Sequence, residues 1–416
     1  EYKKITLSNG LRIILVPEKT AKTAAVLVLV ATGSKYEVKN NNGISHFLEH
    51  MFFKGTKKRP TALKIAETLD RVGGAYNAFT SKEMTGYWAK TAKQHLPLAL
   101  DWVADIFLNS LIESKEIEKE KGVIIEEINM YLDSPAKYVG ELFEDVLYGD
   151  QPAGWDTIGA KENIARFQKS DFLAYFKNHY SAKNTVVCVA GCFEPKAVLA
   201  NIEKSFQKIV DDASPKKLKV KEKQDKPEII VKTKKTDQTH LCLGFRGFGL
   251  ASEKKYAQQV LSVILGGNMS SRMFSQIREK NGLAYYISTS SDAYTDSGYI
   301  VTQAGVPNNQ TAKAICLIIK EYKKMTQETV SNQELKKAKD YIKGSLTLGL
   351  ESPDALASFL ATQEVLENKI LTLEQIYVKI NKVSAKEIRE IAGELFVNKN
   401  MNMALIGPHK KDTNIS

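Results

Sequence analysis

The stretch "KKITLSNGLRIILVPE", residues 3–18, predicts the first structural element of the chain. Alternating apolar residues flank Asn9-Gly10, a dipeptide that favours the tight turn of a β-hairpin. The apolar run "AAVLVLVATGS", residues 24–34, then predicts a buried strand. Segments with helical spacing follow, so the chain opens as an α+β arrangement in which helices cover a sheet.

The second half of the chain repeats this order of elements. Residues 228–248, "EIIVKTKKTDQTHLCLGFRGF", predict strands, and residues 283–306, "LAYYISTSSDAYTDSGYIVTQAGV", predict a hairpin, with helical segments between and after them. The segment "DDASPKKLKVKEKQDKP" separates the halves and is rich in charge and proline, as linkers are. We therefore predict two similar α/β-sandwich domains, residues 1–211 and 228–416, joined by a charged linker at 212–227.

Composition narrows the class of protein. The 416 residues are 43% apolar and 26% charged, which is typical of globular chains with sizeable cores. No apolar run approaches the roughly 20 residues of a membrane span, and the basic residues do not alternate with aromatics, so we expect neither membrane insertion nor nucleic-acid binding despite the net charge of +11.

The cysteines indicate a reducing compartment. Cys188, Cys192, Cys242 and Cys316 fall in predicted strands and a helix, with spacings that suit neither a zinc knuckle nor a redox pair. We predict four reduced core thiols. Because no signal peptide is visible either, we expect a cytoplasmic protein.

The chemistry of the chain is indicated by "GISHFLEHMFFKGT", residues 43–56. His46 and His50 are four residues apart and would share one face of a helix, where both can bind one ion. Glu49 leans towards the same site, and its carboxylate could accept a proton from water that the metal activates. The alternative is a chance pair of core histidines, but apolar neighbours would then leave two buried imidazoles without a partner. We predict a metal site.

A third ligand is expected from "EIEKEKGVIIEEINMYLD", residues 116–133. Catalytic zinc usually has three protein ligands, and this predicted helix is crowded with carboxylates. Burial of Val123, Ile124 and Ile125 would carry Glu126 or Glu127 towards the core. Helical spacing alone does not choose between these two, and either glutamate taken singly would be read as part of a solvated helix face.

The His-x-x-Glu-His element, with a glutamate 77 residues after it, resembles the inverted zinc-binding signature of the insulinase and mitochondrial processing peptidase family. "GGAYNAFTSKEMTGYW" and "SSRMFSQIREKNGLAYYISTSS" also resemble that family, and the similarity of segment order spans nearly the whole chain. The resemblance implies one Zn²⁺ per chain, held by His46, His50 and Glu127, with Glu120 in a supporting role. Because the motif is intact, we expect an active subunit, although two imidazoles and a carboxylate do not select zinc uniquely.

The resemblance also implies how substrate would be held. Asn77 and Ala78 match the strand along which a peptide adds, and Phe53 matches a residue beside the metal, although an edge asparagine and a core phenylalanine are ordinary alternatives. Arg278 and Tyr285 match a pair that stabilises the reacting carbonyl. Without the family they would be a surface arginine and a core-edge tyrosine. In the family this pair comes from the other half of a clamshell, so we expect a homodimer.

These observations predict a zinc-dependent endopeptidase that hydrolyses unfolded peptides, with Glu49 activating the water. Two alternatives remain at this point. One is a peptidase subunit that removes presequences at defined sites. The other is a non-catalytic assembly subunit with the same fold, against which the intact metal motif argues.

Overall fold

Two compact units make up the chain in a computed structural model that describes residues 2–210 and 216–410. The first unit comprises the segments Glu1–Ile128, Asp156–Leu218 and Leu348–Ile370. The second comprises Asn129–Trp155, Lys219–Thr347 and Leu371–Ser416. Each unit is built around its own sheet, and each crosses the midpoint of the sequence.

The first unit contains a six-stranded sheet with the order β1-β2-β6-β3-β5-β4. Its strands are β1 Lys3–Thr6, β2 Arg12–Pro17, β3 Thr23–Val30, β4 Ala75–Thr80, β5 Thr85–Ala92 and β6 Thr185–Gly191. Neighbouring strands are antiparallel except β2 and β6, which are parallel. The predicted hairpin at Asn9-Gly10 is confirmed, since β1 and β2 pair across that turn.

Helices line both faces of the first sheet. The helices of the first unit are α1 Ile44–Met51, α2 Ala62–Asp70, α3 Leu96–Asn109, α4 Ser114–Leu132, α6 Lys161–Arg166, α7 Lys169–His179, α8 Pro195–Phe206 and α12 Pro353–Glu367, of which α3 and α12 make the most contacts with the strands. The helix α12 packs Ala357, Leu360, Ala361 and Val365 against a sheet face formed by Ile14, Leu27, Leu29, Val186 and Cys188. Helix α1 contacts the edge strand β4, which brings the predicted metal motif to one end of the sheet.

The second unit contains a five-stranded sheet with the order β7-β11-β8-β10-β9. Its strands are β7 Glu228–Thr233, β8 Gln238–Arg246, β9 Tyr286–Ala293, β10 Gly298–Pro307 and β11 Met401–Gly407. Its helices are α5 Pro135–Tyr148, α9 Lys254–Gly266, α10 Thr311–Gln327, α11 Asn332–Gly349, α13 Leu373–Lys382 and α14 Ala385–Leu395, with a π-helical segment at Phe274–Glu279. The hairpin predicted within residues 283–306 is confirmed as β9 and β10.

The two sheets share one topology. Strands β2, β6, β3, β5 and β4 correspond in order to β7, β11, β8, β10 and β9, and only the first pair of each series is parallel. This confirms an α+β chain built from two similar, antiparallel-rich sandwiches. It also supports a duplicated plan that residue identities alone did not reveal.

The units differ from the predicted contiguous domains in two segments. Helix α5 lies in the first half of the sequence but packs Val139, Leu142 and Phe143 into the core of the second unit. Helix α12 lies in the second half but belongs to the first unit. Each sheet has two apolar faces that must be covered. One face of the first sheet is covered by α12 from the second half of the sequence, and one face of the second sheet by α5 from the first half. Part of the predicted linker, residues 212–215, lies outside the described residues.

The cysteine prediction is wrong for one residue. Cys188 and Cys242 are buried, Cys192 is half-buried, and Cys316 is exposed. Cys316 falls between the buried positions of α10, where helical periodicity turns it towards solvent. In the part of the chain that the structure describes, every helix is too short or too polar to cross a bilayer.

Candidate metal centre

The helix that carries the predicted metal motif, α1, is fixed by packing on its apolar side. Ile44, Phe47, Leu48 and Met51 are buried at three-and-four spacing, which leaves the positions at 46, 49 and 50 on an adjacent face. The helix starts after Gly43, whose φ of 99° favours glycine, and where an added Cβ would lie 2.8 Å from a backbone oxygen. Local sequence therefore sets both the start of the helix and the face that it presents.

His46, His50 and Glu127 converge within the first unit. The imidazole Nε2 atoms lie 3.8 Å (His46) and 3.6 Å (His50) from Glu127 Oε2, and the three candidate ligand atoms lie within 4.8 Å of one another. Ligand atoms around a tetrahedral zinc are separated by about 3.4 Å, given bonds of about 2.1 Å. The donor set and its spacing therefore fit one zinc ion, with small adjustments of the side chains.

The third residue of this cluster is placed by the amphipathic pattern of α4. Ile117, Glu120, Ile124 and Ile128 form the buried stripe of that helix, and Glu127 flanks it. Glu126 is exposed, so the ligand that the family resemblance implied is the one that lies beside the histidines. The expectation that Val123 is buried is wrong. It is 52% exposed, because it points away from the stripe.

Glu120 and Lys54 hold the His50 ring. Glu120 Oε1 lies 2.9 Å from His50 Nδ1, and Lys54 Nζ lies 2.6 Å from Glu120 Oε2. Burial would raise the pKa of Glu120, but hydrogen bonds from His50 and Lys54 outweigh it and keep that pKa below the usual value. The ionised Glu120 accepts a hydrogen bond from the Nδ1–H group of His50. The Nε2 lone pair of His50 is therefore directed towards the cluster.

Burial tunes the other two members of the cluster. Desolvation, with a smaller effect from His50, lowers the pKa of His46 to about 3, so its imidazole is neutral and has a lone pair for a metal. Desolvation also raises the pKa of Glu127; His50 opposes the shift, and the negative charges of Glu120 and Asp156 add to it. A bound cation would offset this concentration of negative charge.

Glu49 is hydrogen-bonded by a residue of the edge strand. Thr80 Oγ1 donates to Glu49 Oε2 at 2.5 Å, which fixes the carboxylate on the face that carries both histidines. Burial raises the pKa of Glu49, and the Thr80 hydrogen bond partly offsets that rise. A carboxylate whose pKa is raised in this way is a stronger base than an ordinary glutamate, which suits proton transfer.

The residues predicted to contact substrate lie on or near the same edge of the sheet. Asn77 and Ala78 belong to β4, the last strand of the sheet order, and Asn77 Oδ1 accepts a hydrogen bond from Ala78 N at 2.9 Å. Phe53 is half-buried just after α1 and packs against Trp102, with ring centres 6.0 Å apart. Their contacts with substrate stay predictions.

Arg278 and Tyr285 lie together in the second unit. The Arg278 guanidinium carbon is 6.0 Å from the centre of the Tyr285 ring, and Tyr285 is 74% exposed. Such exposure does not fit the alternative of a core-edge tyrosine. The proximity of the two side chains agrees with their expected joint action, which stays a prediction.

Sequence reasoning missed three residues around α1. Thr80 contacts Glu49, Lys54 contacts Glu120, and Glu37 accepts hydrogen bonds from the start of the helix. Lys54 could have been found as the position four residues after His50, one turn further on. Thr80 and Glu37 act across loops, and no spacing rule in the sequence points to them.

Two histidines of α1 and one carboxylate of α4 converge beside the edge of a mixed sheet. Such a set of three ligands is the arrangement of a mononuclear zinc protein. The family model described as insulinase (peptidase family M16) matches residues 12–161, and the model described as peptidase M16 inactive domain matches residues 166–342. A Bacillus subtilis protein named "Uncharacterized zinc protease YmxG" is 38% identical over 412 residues, which cover 98% of each chain. The chain therefore belongs to the insulinase family, peptidase family M16.

Other relatives and solved structures agree. A Rickettsia felis protein named "Uncharacterized zinc protease" is 34% identical and is matched over 97% of both chains. The crystal structure of a protease from Helicobacter pylori superposes with a TM-score of 0.91 at 26% identity, covering 98% of this chain and 99% of that one. A peptidase M16 inactive domain from Pseudomonas fluorescens, at 17% identity and a TM-score of 0.90 over 99% of both chains, supports the fold alone.

Proposed function

We propose that the chain is a zinc-dependent endopeptidase that hydrolyses unfolded peptides, with one zinc per chain. The observation that carries this proposal is the convergence of His46, His50 and Glu127, whose candidate ligand atoms lie within 4.8 Å of one another. Glu49 lies on α1, the helix that carries the two histidines. When bound there, zinc supplies Lewis acidity, which lowers the pKa of a water ligand and polarises a carbonyl oxygen. The family and the names of the relatives support the same class of reaction.

Glu49 moves the proton in this mechanism. Its carboxylate accepts a proton from the attacking water and later delivers it to the leaving amine. Thr80 keeps one oxygen of Glu49 oriented by its 2.5 Å hydrogen bond. Glu120 and Lys54 keep the His50 ring in one orientation through the contacts at 2.9 Å and 2.6 Å.

Strand β4 binds the substrate. It ends the sheet order and lies beside α1, so an extended peptide can pair with it through main-chain hydrogen bonds that tolerate many sequences. The Asn77 side chain holds the Ala78 N–H at 2.9 Å, and an arriving peptide exchanges that contact for one of its own. A chain without stable structure presents an extended segment without first having to unfold, so unfolded peptides are the preferred substrates.

A second copy of the chain completes the site. We assign the stabilisation of the reacting carbonyl to Arg278 and Tyr285 of the partner, because a guanidinium and a phenol are suitable donors to a developing oxyanion. The 74% exposure of Tyr285 leaves its hydroxyl accessible to such a partner. The resulting homodimer would enclose the peptide in a clamshell.

The decisive experiment uses Glu49→Gln, with Glu67→Gln as the matched control on the exposed part of α2 in the same unit. Metal content and cleavage of a defined peptide mixture are measured together, with and without a chelator. We expect Glu49→Gln to retain one zinc and to lose about 10²- to 10⁴-fold in kcat. Full activity in that variant, or chelator-resistant cleavage by the unaltered chain, would refute the mechanism. Zinc binding without any cleavage would indicate a scaffold.

Shared sites are tested by mixing two inactive variants. A Glu49→Gln chain keeps Tyr285, and a Tyr285→Phe chain keeps Glu49, so each mixed dimer contains one complete site. Random exchange at equal concentrations should restore about a quarter of the unaltered activity. If native mass spectrometry shows mixed dimers but no activity returns, the two residues do not act across the interface.

A further inference from the structure

The N-terminus of α1 is buried and needs a hydrogen-bond acceptor. The helix is preceded by Gly43, which has no side chain to cap it, and Ser45 is fully buried in its first turn. Glu37 supplies the acceptor. Its Oε2 accepts from Gly43 N at 2.9 Å, and its Oε1 accepts from Ser45 N at 2.8 Å. The Asn42 amide donates to the same Oε2 at 3.0 Å.

The Glu37 carboxylate is buried, so it depends on these hydrogen-bond donors. Glu37 is 1% exposed, and burying a carboxylate is costly unless several donors satisfy it. Burial raises the pKa of Glu37, while the donors from Ser45, Gly43 and Asn42 act against that rise. A negative group at this end of a helix also interacts favourably with the helix dipole. Glu37 thus ties the start of α1 to the segment that precedes it.

The two histidines are held by different means. Glu120 orients the His50 ring through Nδ1, whereas His46 Nδ1 is buried and has no hydrogen-bond partner among the described residues. The position of His46 therefore depends on the backbone of the first helical turn. His46 follows Ser45, whose N–H is the one that Glu37 Oε1 holds.

We propose that Glu37 is a positioning residue of the metal centre, which sets the distance of His46 from His50 and Glu127 by fixing the first turn of α1. This inference rests on the proposed zinc site. Glu120 orients His50 through a hydrogen bond to its ring, and Glu37 would position His46 through hydrogen bonds to the main chain of the first helical turn.

The test compares Glu37→Gln with Glu364→Gln. Both substitutions preserve shape and remove one acceptor oxygen, and in Glu37→Gln an amide N–H would face a backbone N–H. Glu364 is a matched control because it is equally buried in the same unit. It sits on α12, where its Oε1 lies 2.6 Å from Lys4 Nζ and 3.2 Å from Arg12 Nη1. Zinc dissociation constants come from competition with a chromophoric chelator, alongside kcat, KM and the melting temperature.

We expect Glu37→Gln to weaken zinc binding about tenfold and to lower kcat of the zinc-saturated enzyme by a similar factor. KM should change less than about twofold, since strand β4 is untouched. Glu364→Gln should lower the melting temperature and leave zinc affinity and kcat unchanged. A Glu37→Asp chain, which restores the charge but not the reach, should fall between Glu37→Gln and the unaltered chain.

Two results would overturn the inference while leaving the proposed function intact. One is unaltered zinc affinity and kcat in Glu37→Gln, and the other is equal loss of zinc affinity in both glutamine variants. If the unaltered chain binds zinc but cleaves no peptide, the zinc constants alone decide the role of Glu37. If the unaltered chain binds no zinc, both the function and the inference fail.

Discussion

In each of the two units, a helix is hydrogen-bonded through its side chain to the edge strand of the sheet, but the residues that form this bond differ in charge. In the first unit β3 leads to α1, whose Glu49 is hydrogen-bonded by Thr80 of β4 at 2.5 Å. In the second, β8 leads to α9, whose Gln258 donates to Ser291 of β9 at 2.6 Å. The same pairing of helix and strand side chains occurs in both copies of the topology.

What differs is burial and charge. Gln258 is fully buried, and its Oε1 also accepts from Phe248 N at 2.8 Å, so both ends of the amide are committed to the fold. Glu49 keeps one oxygen that Thr80 does not hold, and two histidines flank it on α1. The shared topology therefore places an ionisable carboxylate beside two histidines in the first unit, and a neutral amide with its hydrogen bonds satisfied in the second.

The largest effect is expected from removing the remote ligand. Glu127→Ala should abolish zinc binding and lower activity by on the order of 10³-fold, because several kcal/mol of transition-state stabilisation depend on the metal. Glu126→Ala, one residue earlier on the exposed side of α4, is the control and should retain both zinc and activity. Zinc analysis of the two purified variants checks this. If Glu126→Ala were the inactive one, the ligand assignment would be reversed.

An intermediate effect is expected in the second unit. Gln258→Leu removes the partners of Phe248 N and Ser291 and should lower the free energy of unfolding by about 2 kcal/mol. Activity per folded molecule should not change. Denaturant titration measures the loss, and Gln259→Leu, the same substitution at a half-buried neighbour, should cost less. A loss of kcat in Gln258→Leu would contradict the purely structural role.

The smallest effect is expected at Thr80. Thr80→Val preserves shape but removes the hydroxyl that orients Glu49, and kcat should fall about tenfold with zinc content unchanged. Thr80→Ser retains the hydroxyl and should restore most of kcat. Steady-state kinetics on zinc-loaded protein would distinguish the two. Equal losses in both variants would mean that the methyl group, and not the hydrogen bond, is what matters.

Much of the fold could be predicted from local patterns. Asn9-Gly10 predicted the first hairpin, and the alternation in residues 283–306 predicted the pair β9 and β10. Membership of the two units could not be predicted in the same way. Helices α5 and α12 have ordinary amphipathic sequences, and nothing local states which sheet their apolar faces will cover. That choice depends on long-range packing.

The two histidines of the candidate metal site could be predicted from helical spacing, and the third ligand could not. His46 and His50 lie one turn apart on α1, whereas Glu127, which flanks the buried stripe of α4, was distinguished from Glu126 only by the family resemblance. The residues that orient the ligands were less accessible. Glu37 is nine residues before His46 across a turn, and the two hydrogen bonds that it accepts from backbone N–H groups depend on the conformation of Gly43. Spacing rules describe regular elements and do not extend through such loops.

The reciprocal placement of α5 and α12 has a consequence for synthesis on the ribosome. The first unit includes Leu348–Ile370, so its apolar sheet face stays uncovered until nearly nine-tenths of the chain has been translated. Domains usually mature in the order of their emergence, but here neither half can be finished early. Genes cut at the charged segment near residue 220 should yield two aggregation-prone polypeptides when expressed singly, and a functional protein only when both are made together.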